Sequence, residues 1–175
     1  MCSEALMSNE LTTINKEVLT LASITREIDL AVPIRMAYNR WTLFETFPQF
    51  MEGVKEVRQL DDKRLLWRAE IGGQEETWEA EIVEQLPDRK IAWRSVSGTP
   101  TTGRVAFESI DDGHCRSMLT MEYKPQGLTE TVGTALGFDG RKVEGDLKRF
   151  KELVESQGVE TGGYRGQIEG DQVRN

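Results

Sequence analysis

Residues 64–86 read RLLWRAEIGGQEETWEAEIVEQL. On both sides of Gly72-Gly73 the apolar residues recur at the two-residue period of a half-buried strand. Leu65, Trp67, Ala69 and Ile71 share one parity, against Leu66, Arg68 and Glu70. Beyond the glycines, Trp78, Ala80, Ile82 and Leu86 share a face, against Thr77, Glu79 and Glu81. Paired glycines suit a two-residue hairpin turn, where both central positions can take positive φ. That turn places Ile71 opposite Gln74, and therefore Trp67 opposite Trp78 on the apolar face. Paired aromatic rings contribute about 0.5–1.5 kcal/mol beyond the area they bury.

The hairpin sits inside a longer meander. Strand-like runs span 54–60, 64–71, 74–86, 89–96, 103–110 and 114–124, separated by short turns such as Asp61-Asp62, Pro87-Asp88 and Asp111-Asp112-Gly113. Short connections favour antiparallel neighbours. A two-residue turn at Pro87-Asp88 would set Trp93 opposite Ile82; one extra loop residue would turn it outward. Upstream, Ile24, Ile28, Leu30 and Val32 share a parity and predict a further strand. Pro33 suits a helix start, and Ile34, Ala37, Tyr38, Trp41 and Phe44 follow at helical spacing. Pro48 interrupts that pattern, and Phe47, Phe50 and Met51 suggest a second short helix or turn. Downstream, Val132, Leu136, Val143, Leu147, Phe150 and Val154 form one stripe of a helix over 128–157, weakened in its middle by Gly137 and Gly140 and closed by Gly158.

These elements predict an α+β domain over 23–158. Its curved seven-stranded antiparallel sheet wraps a long C-terminal helix, with two short helices after the first strand. Residues 1–22 read either as a weak helix, from Leu11, Ile14, Val18 and Leu21, or as a frayed leader. Residues 159–175 are polar and glycine-rich and are expected to be disordered.

Composition narrows the function. The 175 residues are 38 % hydrophobic and 30 % charged, a globular composition. A net charge of −8 argues against a phosphate-backbone partner, so no nucleic acid is expected. No stretch approaches the roughly 20 apolar residues of a membrane span. The N-terminal segment has no basic region before its apolar residues and does not resemble a secretory signal. Cys2 and Cys115 are far apart, and a reducing, cytoplasmic location without disulfides is expected.

The usual marks of an enzyme are absent. The single histidine, His114, follows the Asp-Asp-Gly turn and reads as a solvated hairpin residue. No Ser-His or Cys-His pairing suggests itself, no zinc spacing occurs, and the glycines near 133–145 do not follow a strand. No metal or cofactor is expected. What remains is the inner face. Trp67, Trp78, Trp93, Ala80, Phe107, Met121, Tyr123 and Leu136 are candidates to line a cavity between sheet and helix, either as plain core or as a flat wall for an apolar ligand. Tyr123, Glu76 and Ser95 are the only candidates for acid–base or orienting roles.

The segment Val32-Pro33, Ala37-Tyr38, Trp41-Thr42, Phe44, Phe47-Pro48, Phe50-Met51 resembles the "VPxxxAYxxWTxFxxFPxFM" start of the polyketide cyclase/dehydrase and lipid-transport family. That family belongs to the START-like helix-grip superfamily. Trp67…Gly72…Trp78-x-Ala80-x-Ile82 and Ile91-x-Trp93 are similar to the sheet of its small bacterial members. The resemblance covers about 23–157 and implies the helix-grip fold. It implies one of two activities: a carrier of a lipid or quinone, as in the coenzyme Q-binding proteins, or an aromatase/cyclase that folds and dehydrates a polyketide. A shared fold does not choose between them. The inner face, rich in tryptophan and poor in ionisable groups, favours a non-catalytic carrier of an apolar small molecule, as a monomer or homodimer. A cyclase and a protein-binding module are the alternatives.

Overall fold

A computed structural model of the chain describes residues 22–71, 73–98, 101–123 and 140–175. Strands β1 (Ala22–Leu30), β2 (Val54–Gln59), β3 (Arg64–Ile71), β4 (Gln74–Leu86), β5 (Lys90–Ser95), β6 (Thr101–Asp111) and β7 (His114–Tyr123) form one antiparallel sheet in the order β1-β7-β6-β5-β4-β3-β2. The two edge strands, β1 and β2, are joined by helix α1 (Ile34–Trp41) and a 3₁₀ turn over Phe44–Gln49. Helix α2 (Gly140–Gln157) closes the domain, and the fold is of the α+β helix-grip class. The earlier part of the expected helix, with Val132 and Leu136, lies outside the described residues, as does the segment 1–21.

The glycine turn sets the β3–β4 register as its chemistry requires. Gly73 has φ +81°, Ile71 pairs with Gln74, and Trp67 pairs with Trp78. The β4–β5 connection departs from expectation twice. Its loop has three residues, 87–89, because Leu86 pairs with Lys90. Asp88 takes the left-handed conformation such loops use, with φ 58°. Left alone, that extra residue would turn Trp93 outward. A bulge at Val83, between Ile82 and Glu84, restores the pairing of Ile82 with Trp93. One consequence corrects the reading of β4: past the bulge, Gln85 points inward and is fully buried, while Leu86 is only partly covered.

On one half of the concave side, α1 and the 3₁₀ turn press a set of rings against α2. The Trp41 ring lies 4.9 Å from Phe150, 5.5 Å from Phe47 and 5.6 Å from Phe50, at steep mutual angles. Tyr38 and Phe107 complete the cluster with ring centres 5.8 Å apart. Helix α2 reaches from one sheet edge to the other. Near β1, Lys151 Nζ donates to Asp29 O at 2.7 Å and Glu155 Oε1 accepts from Ala31 N at 2.7 Å. Near β2, Arg149 Nε donates to Phe50 O at 2.9 Å and Asp146 Oδ1 accepts from Glu52 N at 2.9 Å. Val143, Leu147, Phe150 and Val154 are the buried apolar stripe of the helix.

Residues 159–175, expected to be disordered, instead end in a hairpin of β8 (Gln167–Glu169) and β9 (Gln172–Arg174), bringing the sheet to nine strands. The physical reason is an open edge. The β3 ladder on β4 runs out at Arg64 and Glu81, and β8 takes the vacant side, pairing with Glu84 and Gln85. Ile168 is fully buried there. Two strands of three residues are too short to show periodicity, and one buried isoleucine does not stand out in a polar tail.

Candidate functional site

Among the described residues, the other half of the concave side is not filled. Between the start of α2, the turn into β2 and strands β3–β7 lies a cavity that opens to solvent, with about 60 Å³ open to the centres of water-sized molecules. The sheet contributes Trp67, Trp78, Trp93, Leu119 and Met121, and the helix contributes Val143.

The indoles are arranged as flat surfaces. Trp67 and Trp78 stack with ring centres 5.8 Å apart and planes 11° from parallel. Trp67 is nearly sealed at 6 % exposure, and Trp78 is partly exposed. Phe47 meets Trp67 edge-on at 5.6 Å and links this wall to the packed half. Trp93 lies across Gly103, its partner on β6. A Cβ on Gly103 would come within 2.3 Å of the indole, so only glycine lets the ring lie flat there.

Among the described residues lining the cavity, Glu52, Lys142 and Asp146 form one polar group, and Thr101 is a further polar residue. Asp146 is buried, and its Oδ1 accepts from both the Glu52 N–H and the Arg149 guanidinium. Burial raises its carboxyl above the usual value; the Glu52 N–H, Arg149 and Lys142 pull the other way without cancelling that effect. Lys142 extends over Gly53, whose added Cβ would sit 3.2 Å from Nζ.

The cavity gathers only part of the candidate set. Trp67, Trp78, Trp93 and Met121 line it. Ala80 is fully buried beneath the sheet's inner layer, opposite Leu65 and Ser95, and does not reach the cavity. Phe107 belongs to the packed half, against Tyr38 and Trp41. The Tyr123 side chain and Leu136 lie outside the described residues. Glu76 is exposed. The Ser95 hydroxyl accepts from Thr101 N at 2.9 Å and ties the β5–β6 connection, and Ser95 is not among the residues lining the cavity. The polar residues Glu52, Lys142 and Asp146 were missed. An Asp four residues before Phe150, on the buried side of an amphipathic stripe, was the available signal.

His114 sits exposed at the β6–β7 hairpin, paired with Asp111 at 2.8 Å. Cys115 is buried as a free thiol, pushed up to about 11 by burial. Among the described residues no group of three or more His, Cys, Asp or Glu could hold a metal ion, and no helix is long and apolar enough to cross a membrane.

An uncharacterized 17.2 kDa protein of Streptomyces lincolnensis, from the melC2-rnhH intergenic region, is 44 % identical over 149 residues, covering 85 % of this chain and 99 % of its own. A START superfamily protein of Mycobacterium smegmatis superposes with a TM-score of 0.68 at 14 % identity, over 77 % of this chain and 98 % of that one. The Zhui aromatase/cyclase of Streptomyces sp. R1128 superposes with a TM-score of 0.67 at 14 % identity, over 83 % and 100 %. At such identities the structural likeness speaks for the fold alone. Residues 30–152, from the end of β1 into the body of α2, match the polyketide cyclase / dehydrase and lipid transport family, and the chain belongs to that family.

Proposed function

We propose that this protein binds a ring-bearing apolar small molecule, such as a quinone, polyketide-like or isoprenoid compound, in the cavity between sheet and α2, and carries it in the cytoplasm without reacting with it. One observation carries the reading: the parallel Trp67–Trp78 stack, continued by Trp93, offers flat aromatic faces beside open space. Stacked and edge-to-face pairs both occur in packed cores, so it is the open space beside these indoles, and not their angle, that sets them apart from the rings around Trp41. The ligand lies with its ring plane along the indoles and any oxygen toward Thr101, Lys142 and Asp146.

The test is a titration with menadione, a bicyclic quinone, read by quenching of tryptophan fluorescence and by calorimetry. Native mass spectrometry and organic extraction of freshly purified protein identify any co-purified molecule. Saturable quenching at one site supports the proposal. Linear, non-saturating quenching, with the protein leaving purification empty, would sink it.

A cyclase or dehydratase is the second reading, favoured by one feature: a buried carboxyl with a raised pKa at the cavity. Against it, Asp146 Oδ1 is already committed to two donors that dock α2 to the β2 turn. Recovery of a linear polyketone mimic unchanged after incubation favours the carrier; a cyclised or dehydrated product that disappears in Asp146→Asn favours the enzyme.

A further inference from the structure

We propose that the C-terminal hairpin β8–β9 is a positioning element of the cavity: it holds the two irregularities of β4–β5 that together turn Trp93 inward. The three-residue loop 87–89 shifts the register by one, and the Val83 bulge shifts it back. If either relaxed alone, Trp93 would pair with the wrong parity and leave the inner face. The C-terminal segment touches both. Gly170 N donates to Val83 O, the bulged carbonyl, at 3.0 Å. The next two residues of β4, Glu84 and Gln85, are paired with Glu169 and Ile168. At the loop, the Arg165 guanidinium grips both oxygens of Asp88, at 3.0 and 2.6 Å, where the backbone takes its left-handed turn.

The segment is itself fastened to α1, so it has something to hold against. Arg165 also donates to Asn39 Oδ1 at 2.8 Å, and Tyr164 N donates to Thr42 Oγ1 at 3.1 Å. Gly163 packs so closely on Asn39 that a Cβ would lie 2.7 Å from its Cα. Buried Gln85 donates to the Tyr38 hydroxyl at 3.1 Å, joining the strand past the bulge to the same helix. The hairpin thus ties the irregular end of β4 to α1, and it lies beyond the residues that the family match covers.

The test has two arms. The first needs no ligand. Incorporation of 5-fluorotryptophan gives one fluorine signal for each of the four tryptophans, with the Trp93 signal identified by its loss in Trp93→Phe. Gly170→Pro removes the N–H on Val83 and cannot adopt the φ of +57° found there. It should shift or broaden the Trp93 signal and leave that of Trp41 in place. The second arm rests on the proposed ligand site. Gly170→Pro should weaken menadione binding several-fold, and Gly170→Pro with Trp93→Ala should bind no more weakly than Trp93→Ala alone. A Trp93 signal unchanged while protease trims the loosened hairpin would overturn the inference. So would losses that multiply in the double variant. If Gly170→Pro disperses all four signals, Arg165→Met, which releases only the loop, is judged by the same two criteria. If the wild type does not bind menadione at all, the ligand reading fails and the fluorine arm still decides the hairpin's role.

Discussion

The two halves of the concave face use the same kind of residue in opposite ways. Around Trp41, rings meet edge to face with no space left, and Trp41, Phe47, Phe50 and Phe150 are all essentially without exposure. Around Trp67 and Trp78, the two indoles lie parallel and line a cavity, with Phe47 meeting Trp67 edge-on. The first half rests on two helices crossing the sheet. Among the described residues, the second is covered by the beginning of α2 and the turn into β2. The difference separates an aromatic cluster that holds the fold from the one proposed as a ligand wall.

The largest effect expected of this contrast is in the packed half. Phe150→Ala should cost about 3–5 kcal/mol, the usual loss for a buried ring, measured by urea unfolding. A loss near the ~0.5 kcal/mol of surface changes would erase the distinction. Gly103→Ala should come next. Its methyl collides with the Trp93 indole, so we expect about 1–3 kcal/mol of overpacking together with a displaced Trp93 and weaker menadione binding. Unchanged binding would mean that Trp93 is not part of the wall.

Trp78→Ala sharpens the comparison from the other side. It should lower stability by only about 1–2 kcal/mol, because the Trp78 ring is already partly exposed in the folded state. Menadione affinity should fall about a hundredfold or more, equivalent to about 2.8 kcal/mol. A variant that loses more folding than binding energy would assign Trp78 to the core.

Acidity offers a subtler probe. The Asp146 carboxyl has a raised folded-state pKa, so the folded state holds its proton more tightly than the unfolded chain does. Its contribution is full below the ordinary carboxylate value and is lost as pH rises through the folded value. The stability of the wild type relative to Asp146→Asn should therefore decline from acid toward neutral pH. A difference flat across that window would show that Glu52 and Arg149 fully offset burial. The smallest effect is expected at the hairpin tip: His114→Ala should change stability by less than about 0.5 kcal/mol, and menadione binding not measurably.

Much of this was legible before any coordinates. The alternation in 64–86 and the paired glycines give the Trp67–Trp78 pairing, because a two-residue turn leaves a single register. The inward orientation of Trp93 was readable only as a condition. It came about through two compensating irregularities, and neither has a signature in a strand of ordinary alternation. Phe107 was rightly placed inward, but alternation gives the face of a strand and not the position along it. Its place opposite Tyr38 puts it in the packed half.

The sequence by itself determined the elements from β1 to β7, the antiparallel pairing of neighbours in the meander and the apolar face of each strand up to the bulge in β4, since periodicity and turn chemistry are local. Tertiary structure alone decided where that face is filled and where it is left open. It decided that Asp146, four residues from Phe150 on the same helix, sits at a cavity while Phe150 sits in a solid core. It also decided that a polar tail becomes a strand, because β3 ends before β4 does and the unpaired edge draws in Ile168. Those outcomes depend on how far distant elements reach across one another, and no local pattern encodes that distance.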